Sequence, residues 1–343
     1  MLNKKWPLLA VVVLLMTLVL AACSTPEPDV ITIVETRVEE VVVTVEGEDR
    51  EIVVTQIVEQ EVTRVVEPTQ EPVMEMPKDM IICQAQEPTT LYGNGGSMLA
   101  MTSILHAITV PFITNLSYGY QAGIGLEKLP SLADGDAEFV IVEANAGDMV
   151  IDATNSLVEL AEGVTVVDAD GNEVEFAGDP VMMEQLVVRF SMTEGMMWED
   201  GEPLTADDSV YGFELNADPD TPSGKFTIDR TVSYVALDDY TTQWTAVPGY
   251  RDSTYFANFW GPYPRHYLSS YSAAELLEAE ESSRSPLSYG AFKIDEWIPG
   301  EAVVMSANEN FFMEGLPYLA SVTYKFIPDT NALVAQLLAG SCD

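Results

Sequence analysis

Residues Leu186 to Glu214 read LVVRFSMTEGMMWEDGEPLTADDSVYGFE, and the order of parts in that run decides the fold. Leu186, Val188 and Phe190 alternate with Val187, Arg189 and Ser191. That is the period of a strand with one buried face. Glu194-Gly195 ends the strand, since glycine adopts positive φ freely. Met196, Met197 and Trp198 supply an apolar anchor, and Asp200-Gly201 is a strong turn signal. Pro203 to Asp208 then reads as a helix entry. Thr205 is a candidate N-cap and Asp208 sits three residues on, as in a capping box with Asp in place of Glu. Taken singly, each residue reads as part of a strand–turn–helix core element with no chemistry of its own.

The chain of 343 residues is long enough for two domains or one large split one. Its 47% hydrophobic content is ample for a core, and 15 Lys+Arg against 55 Asp+Glu give a net charge of -40. Nucleic-acid binding is excluded on that balance, because phosphates require a basic surface. The acidity serves solubility first, with attraction of cationic ligands as the lesser reading.

The N-terminus carries the marks of export. Lys4 and Lys5 form a positive region, and Leu8 to Leu20 is an apolar stretch short for a membrane span. Leu20-Ala21-Ala22-Cys23 resembles a bacterial lipobox. That resemblance implies a signal peptide over 1–22 and a diacylated Cys23, two acyl chains giving stable anchoring. An uncleaved N-terminal anchor is the alternative. Residues 23–77 are rich in Val, Glu and Thr, with phrases such as Val41-Val42-Val43-Thr44-Val45 and Ile52-Val53-Val54-Thr55-Gln56. β-branched residues favour extended chain. We expect a tether, extended or weakly β, with a reach of well over about 100 Å at roughly 3.3 Å per residue. A coiled coil is the lesser option.

Signals for catalysis and metal binding are weak. The two histidines, His106 and His266, are far apart in sequence, and no metal-ligand spacing surrounds them. Asp168 to Glu173 hints at a calcium loop, but its glycine falls at position 4 where an EF-hand needs position 6. A hairpin turn is the better reading. No P-loop, dinucleotide fingerprint or nucleophile elbow is present. Acidic pairs are too abundant to point to glycoside hydrolysis. The reading is therefore not an enzyme, with no metal and no cofactor.

A folded body starts near Lys78, with a buried-strand pattern at Ile81-Ile82-Cys83 and a helix over Ser97 to Ile108. Several of its segments match family motifs in order. Gln86 to Tyr92 resembles an E-P-x-x-L turn, and Leu129 to Asp134 an "lpsLA" segment. Leu237 to Trp244 resembles a closing strand, and Tyr263-Pro264-Arg265-His266 an l-P-x-H turn. Pro286 to Glu301 resembles P-x-G-T-G-P-Y-K-x-x-x-W-x-P-G-E, with Tyr289 and Ala291 as departures. Asn308 to Phe312 and Leu337 to Asp343 complete the series. With Leu186 to Glu214, these resemble the family 5 extracellular solute-binding proteins of ABC importers, the oligopeptide-, dipeptide- and nickel-binding type. The usual E-G-L after the first helix is replaced by Ala107 to Pro111, which puts that loop's geometry in question.

The resemblance implies an α/β fold: a type II periplasmic-binding-protein first lobe, with a mixed sheet, helices and an inserted subdomain. Its main part maps to 78–106 and 248–343 and the insertion to 107–247, with the second lobe missing from the sequence. The function implied is a lipid-anchored extracytoplasmic receptor that captures a small solute for an ABC importer permease. Peptides are the favoured solute class; nickel chelates, opines and oligosaccharides stay open. The alternative is a truncated, non-transporting envelope lipoprotein or interaction module. Family motifs place the loops of Tyr92, Asn94 and Tyr289 near the ligand. The family pattern also sets Cys342 on another strand of the sheet that holds Cys83. These cysteines are expected to be bonded or close enough to bond, in a compartment that permits disulfides; two independent thiols are the alternative.

Overall fold

The computed structural model describes residues 30–44, 51–65, 78–115 and 118–343. Cys23, the signal peptide and both ends of the tether lie outside the described residues. The chain divides into two compact units, Met1–Met76 and Pro77–Asp343.

In the first unit, strands β1 (Val30–Thr44) and β2 (Glu51–Val65) pair antiparallel, with Val30 opposite Val65 and Thr44 opposite Glu51. The β-branched content that favours extended chain here finds a partner strand. Pairing corrects the expected reach. The segment doubles back, and a fifteen-residue strand covers only roughly 50 Å.

The second unit begins with β3 (Asp79–Gln84), α1 (Leu99–Ile108), the short strands β4 (Ile113–Thr114) and β5 (Gln121–Ala122), and β6 (Ala137–Ala144). Two small hairpins follow, β7 (Met149–Ile151) with β8 (Leu157–Glu159) and β9 (Thr165–Val167) with β10 (Glu173–Glu175). Asp168 to Asn172 is the turn of the latter, and the Asp168 carboxylate accepts from the Asp170 and Asn172 amides. The chain continues through β11 (Val181–Ser191), α2 (Ala206–Ala217), β12 (Thr231–Asp238) and β13 (Thr241–Ala246). Short helices α3 (Arg265–Leu268), α4 (Ala273–Leu276) and α5 (Glu280–Ser283) precede β14 (Phe292–Ile298), β15 (Ala302–Ala307), β16 (Ser321–Phe326) and α6 (Thr330–Leu338).

These strands build two four-stranded sheets. One has the order β14-β15-β16-β3, antiparallel except that β3 runs parallel to β16. The other, β12-β13-β11-β6, is wholly antiparallel and comes from the middle of the unit. Helix α1 lays Met101, Ile104 and Ile108 on the first sheet, against Val303, Met305 and Val322. On the second, β11 buries Leu186, Val188 and Phe190 completely. They pack with Trp244 of β13 and with Trp198 and Leu204, which lead into α2. Thr205 donates its amide to the Asp208 carboxylate at 3.0 Å, closing the turn into α2.

Cys83 and Cys342 are joined, with Cα atoms 5.7 Å apart. Cys342 is not on a strand, contrary to the family-based expectation. Gly340, at φ +68°, ends α6, and the chain turns back toward β3. There Asp343 donates its amide to the Ile81 carbonyl, and the Ile81 amide donates to the Asp343 carboxylate, both at 2.8 Å.

Candidate functional site

Three separated stretches of chain converge between the sheets, and each is held by its own hydrogen bonds. The loop after β3 is tied down by Glu87. Its carboxylate accepts from the Trp297 indole at 2.8 Å and from the Gly300 amide at 3.0 Å. Further along, Leu91 donates to the Ser283 carbonyl and Tyr92 to the Thr90 hydroxyl. This fixes Tyr92, which is only 1% exposed.

The second stretch is the loop carrying Tyr289. The carbonyl of Ile108, at the open C-terminal end of α1, accepts from the Ser288 hydroxyl and from the Tyr289 and Gly290 amides. A helix's last carbonyls lack intrahelical partners, and here a distant loop supplies one. Gly290 has to be glycine for this approach. A Cβ there would sit 2.4 Å from the Ile108 carbonyl carbon.

The third stretch runs from the Trp198 turn through α2 to the Pro262-Tyr263-Pro264 turn. Asp208 is buried, and its carboxylate accepts from the Trp198 indole at 3.2 Å, the Thr205 amide at 3.0 Å and the Arg265 amide at 3.1 Å. The Tyr263 amide donates to the Asp208 carbonyl. One residue thus positions both Trp198 and the Tyr263 turn. Burial nevertheless raises the Asp208 carboxyl above the ordinary Asp value, against the pull of these donors. Glu199, which accepts from the Ser288 amide at 2.8 Å, is raised for the same reason.

The stretches enclose a cavity of about 230 Å³ whose lining includes Tyr92, Trp198, Tyr263 and Tyr289. Tyr92 and Tyr263 meet edge-on with ring centres 5.5 Å apart, as do Trp198 and Tyr289 at 5.1 Å. Such edge-to-face pairs are the favoured aromatic geometry. The remaining lining is mostly Leu, Ile and Pro, and no charged side chain is among it. Burial pushes the Tyr92 phenol up to about 12 and raises those of Tyr263 and Tyr289 well above the ordinary value. All three stay neutral at physiological pH. The arrangement offers an apolar aromatic surface with a few neutral hydroxyls, a setting for binding an uncharged group.

Of the residues singled out from sequence, Tyr92 and Tyr289 come together in this cavity, both as buried side chains. Asn94 does not line it. Its side-chain amide nitrogen faces the Tyr92 hydroxyl at 3.5 Å. Tyr263 was passed over as a site residue. The prolines on both sides of it, which stiffen the backbone, were the available signal. Trp260 lies outside this cavity and packs against Phe213 and Tyr234. Among the described residues no group of three or more His, Cys, Asp or Glu is arranged to hold a metal ion. No helix there is long and apolar enough to cross a membrane.

Comparison with known proteins bears on the segment that supplies Trp198, Asp208 and Tyr263. Residues 181–343 match the family of bacterial extracellular solute-binding proteins, family 5, in its middle part. This chain is 36% identical over 151 residues to the oligopeptide-binding protein AppA of Bacillus subtilis, covering 43% of this chain and 27% of AppA. The periplasmic oligopeptide-binding protein OppA of Salmonella typhimurium is 23% identical over 201 residues, covering 54% of this chain and 37% of OppA. Among solved structures, an oligopeptide-binding protein of Thermus thermophilus with a pentapeptide aligns over 78% of this chain and 44% of its own, with TM-score 0.56 and 18% identity. B. subtilis AppA with a nonapeptide aligns over 77% and 43%, with TM-score 0.50 and 24% identity. The fold is therefore the mixed α/β fold of the type II periplasmic binding proteins. The chain spans less than half the length of each of these relatives.

Proposed function

We propose that this chain is an extracytoplasmic solute-binding protein that captures a small solute, with peptides as the leading class, for delivery to an ABC importer permease. The observation that carries this reading is the segment matching the family 5 model: its residues Trp198 and Tyr263, positioned by Asp208, line an aromatic cavity, and proteins similar to this chain are named oligopeptide-binding proteins. Tyr92 and Tyr289 are proposed as direct ligand contacts, and Asn94 as a support for Tyr92. We further propose that 78–106 and 248–343 act as the main part of the lobe, with 107–247 inserted in it. Cys23 is proposed as the lipid-bearing residue that holds the receptor at the envelope, with 23–77 as its tether.

Binding to the native state raises the melting temperature by mass action. The full chain, expressed in a bacterial host and extracted in mild detergent, is expected to show a raised melting temperature with a pooled library of short peptides. No shift with any pool would remove peptides as the solute class. Labelling with radioactive palmitate is expected in the full chain and absent in Cys23→Ala; equal labelling of both would remove the lipid anchor.

A further inference from the structure

The cavity is specific about charge, size and shape, and those properties select a ligand group. It is larger than the engineered apolar cavity of ~150 Å³ that holds benzene in another protein. A two-ring group therefore fits. No ionic partner is available among the residues lining it, and its three phenols are held neutral by burial. Burying an unpaired charge there is strongly unfavourable. The Tyr92 hydroxyl already faces the Asn94 side-chain amide at 3.5 Å. The surface offered to an incoming group is mainly ring edges and faces. The rim is open, because Gly93 and Gly261 are exposed and Leu105 and Leu287 are half-buried. Gly93 is part of the shape: a Cβ there would sit 2.7 Å from the Tyr263 hydroxyl.

We propose that this cavity is the specificity pocket for one uncharged aromatic side chain of the solute, with indole as the best-fitting group. The proposal rests on the solute-binding reading and adds the side-chain class to it. Trp198 and Tyr289 already stand edge to face, and a third ring extends that packing with the same geometry.

The test uses the full chain in detergent and indole itself as probe, read by saturation-transfer NMR and by melting temperature. Saturable indole binding is expected, at least about 10-fold tighter than that of indole-3-acetate, whose carboxylate finds no partner. Gly261 has open space where a side chain would stand. Gly261→Phe is therefore expected to plug the pocket and abolish indole binding while the melting temperature of the free protein is kept. Leu105→Trp is the second plug, from the opposite rim. Tripeptides Ala-Trp-Ala and Ala-Asp-Ala complete the test, with the first expected to bind at least about 10-fold tighter. Peptide binding without preference for the ring, together with no indole binding, overturns the pocket and leaves the solute-binding reading standing. Indole binding lost in both plugged variants, with no peptide bound at all, supports the pocket's chemistry and removes the peptide reading. Indole binding that survives both plugs overturns the assignment to this cavity.

Discussion

Replacing Asp208 by alanine tests whether one carboxylate holds the Trp198 turn and the Tyr263 turn together. Asp208 is 5% exposed and accepts three hydrogen bonds, from the Trp198 indole, the Thr205 amide and the Arg265 amide. Truncation orphans all three donors. A buried unsatisfied donor costs about 1–3 kcal/mol. The donors share one acceptor group, so their losses overlap, and we expect about 3–5 kcal/mol in all. Asp208→Asn keeps an acceptor for two donors and turns an amide N–H toward the third, for an expected loss of about 1–2 kcal/mol. The pH dependence adds an independent reading. Burial raises the Asp208 carboxyl in the folded state. Such a group gives stability that is fully present below its unfolded pKa and lost as pH rises through the folded one. The advantage of the native protein over Asp208→Asn is therefore expected to shrink as pH rises above about 4. Glu199 is also raised, but it is common to both proteins and cancels in the difference. Urea unfolding followed by tryptophan fluorescence, from pH 3.5 to 7.5, measures all of these quantities. An alanine cost below about 1 kcal/mol, or an advantage over asparagine that grows with pH, would refute the reasoning.

Three further outcomes are expected. The Cys83–Cys342 disulfide closes a loop with a sequence separation of 259 residues, for which chain entropy sets an upper limit of about 6 kcal/mol. The urea midpoint is expected to fall on adding dithiothreitol and to be insensitive to it in the Cys83→Ser, Cys342→Ser double variant; an unmoved midpoint in the native protein would show that the bond is not formed in solution. Gly290→Ala forces a Cβ against the α1 C-terminus and is expected to lose about 1–3 kcal/mol, whereas Gly135→Ala, which meets nothing within 4 Å but has φ +81°, loses only its backbone term of about 1 kcal/mol. Tyr92 and Tyr234 are pushed up to about 12 by burial, so phenolate absorbance at these positions is expected only near that pH. Stability from these raised phenols is present below their ordinary value near 10 and lost as pH rises through the folded one. A spectrophotometric titration complete by pH 11 would contradict their burial.

Local patterns made much of the fold readable before the structure was known. The alternation of Leu186, Val188 and Phe190 marks a buried strand face, because period 2 is a property of the strand itself. The Asp-Gly and Thr-x-x-Asp signals around α2 and the turn at Asp168 to Asn172 are equally local, each settled within a few residues. The cavity is another matter. Tyr92, Tyr263 and Tyr289 share it because Ile108 receives the Ser288–Gly290 loop and Asp208 receives Arg265. Neither bond leaves a periodic trace in the sequence. Asn94 fails as a lining residue for the same reason: its loop is at the site, but the direction of its side chain is set by Tyr92. Cys342 was placed on a strand by family pattern, and a single left-handed residue, Gly340, turns the chain there instead.

The parallel pairing of β3 with β16 has a consequence for biosynthesis. Asp79 and Ser321, bonded through their side chains, are 242 residues apart in sequence. At synthesis rates of ~5–20 residues per second, β3 waits roughly 12–50 s for its only neighbouring strand in the sheet. Throughout that interval the apolar run Met80-Ile81-Ile82-Cys83 is made but unsheltered. Cys83 waits longer still, because its partner follows β16 and α6. The sheet therefore closes from β16 back onto β3, and the thiol of Cys83 stays open to wrong partners until Cys342 has been made.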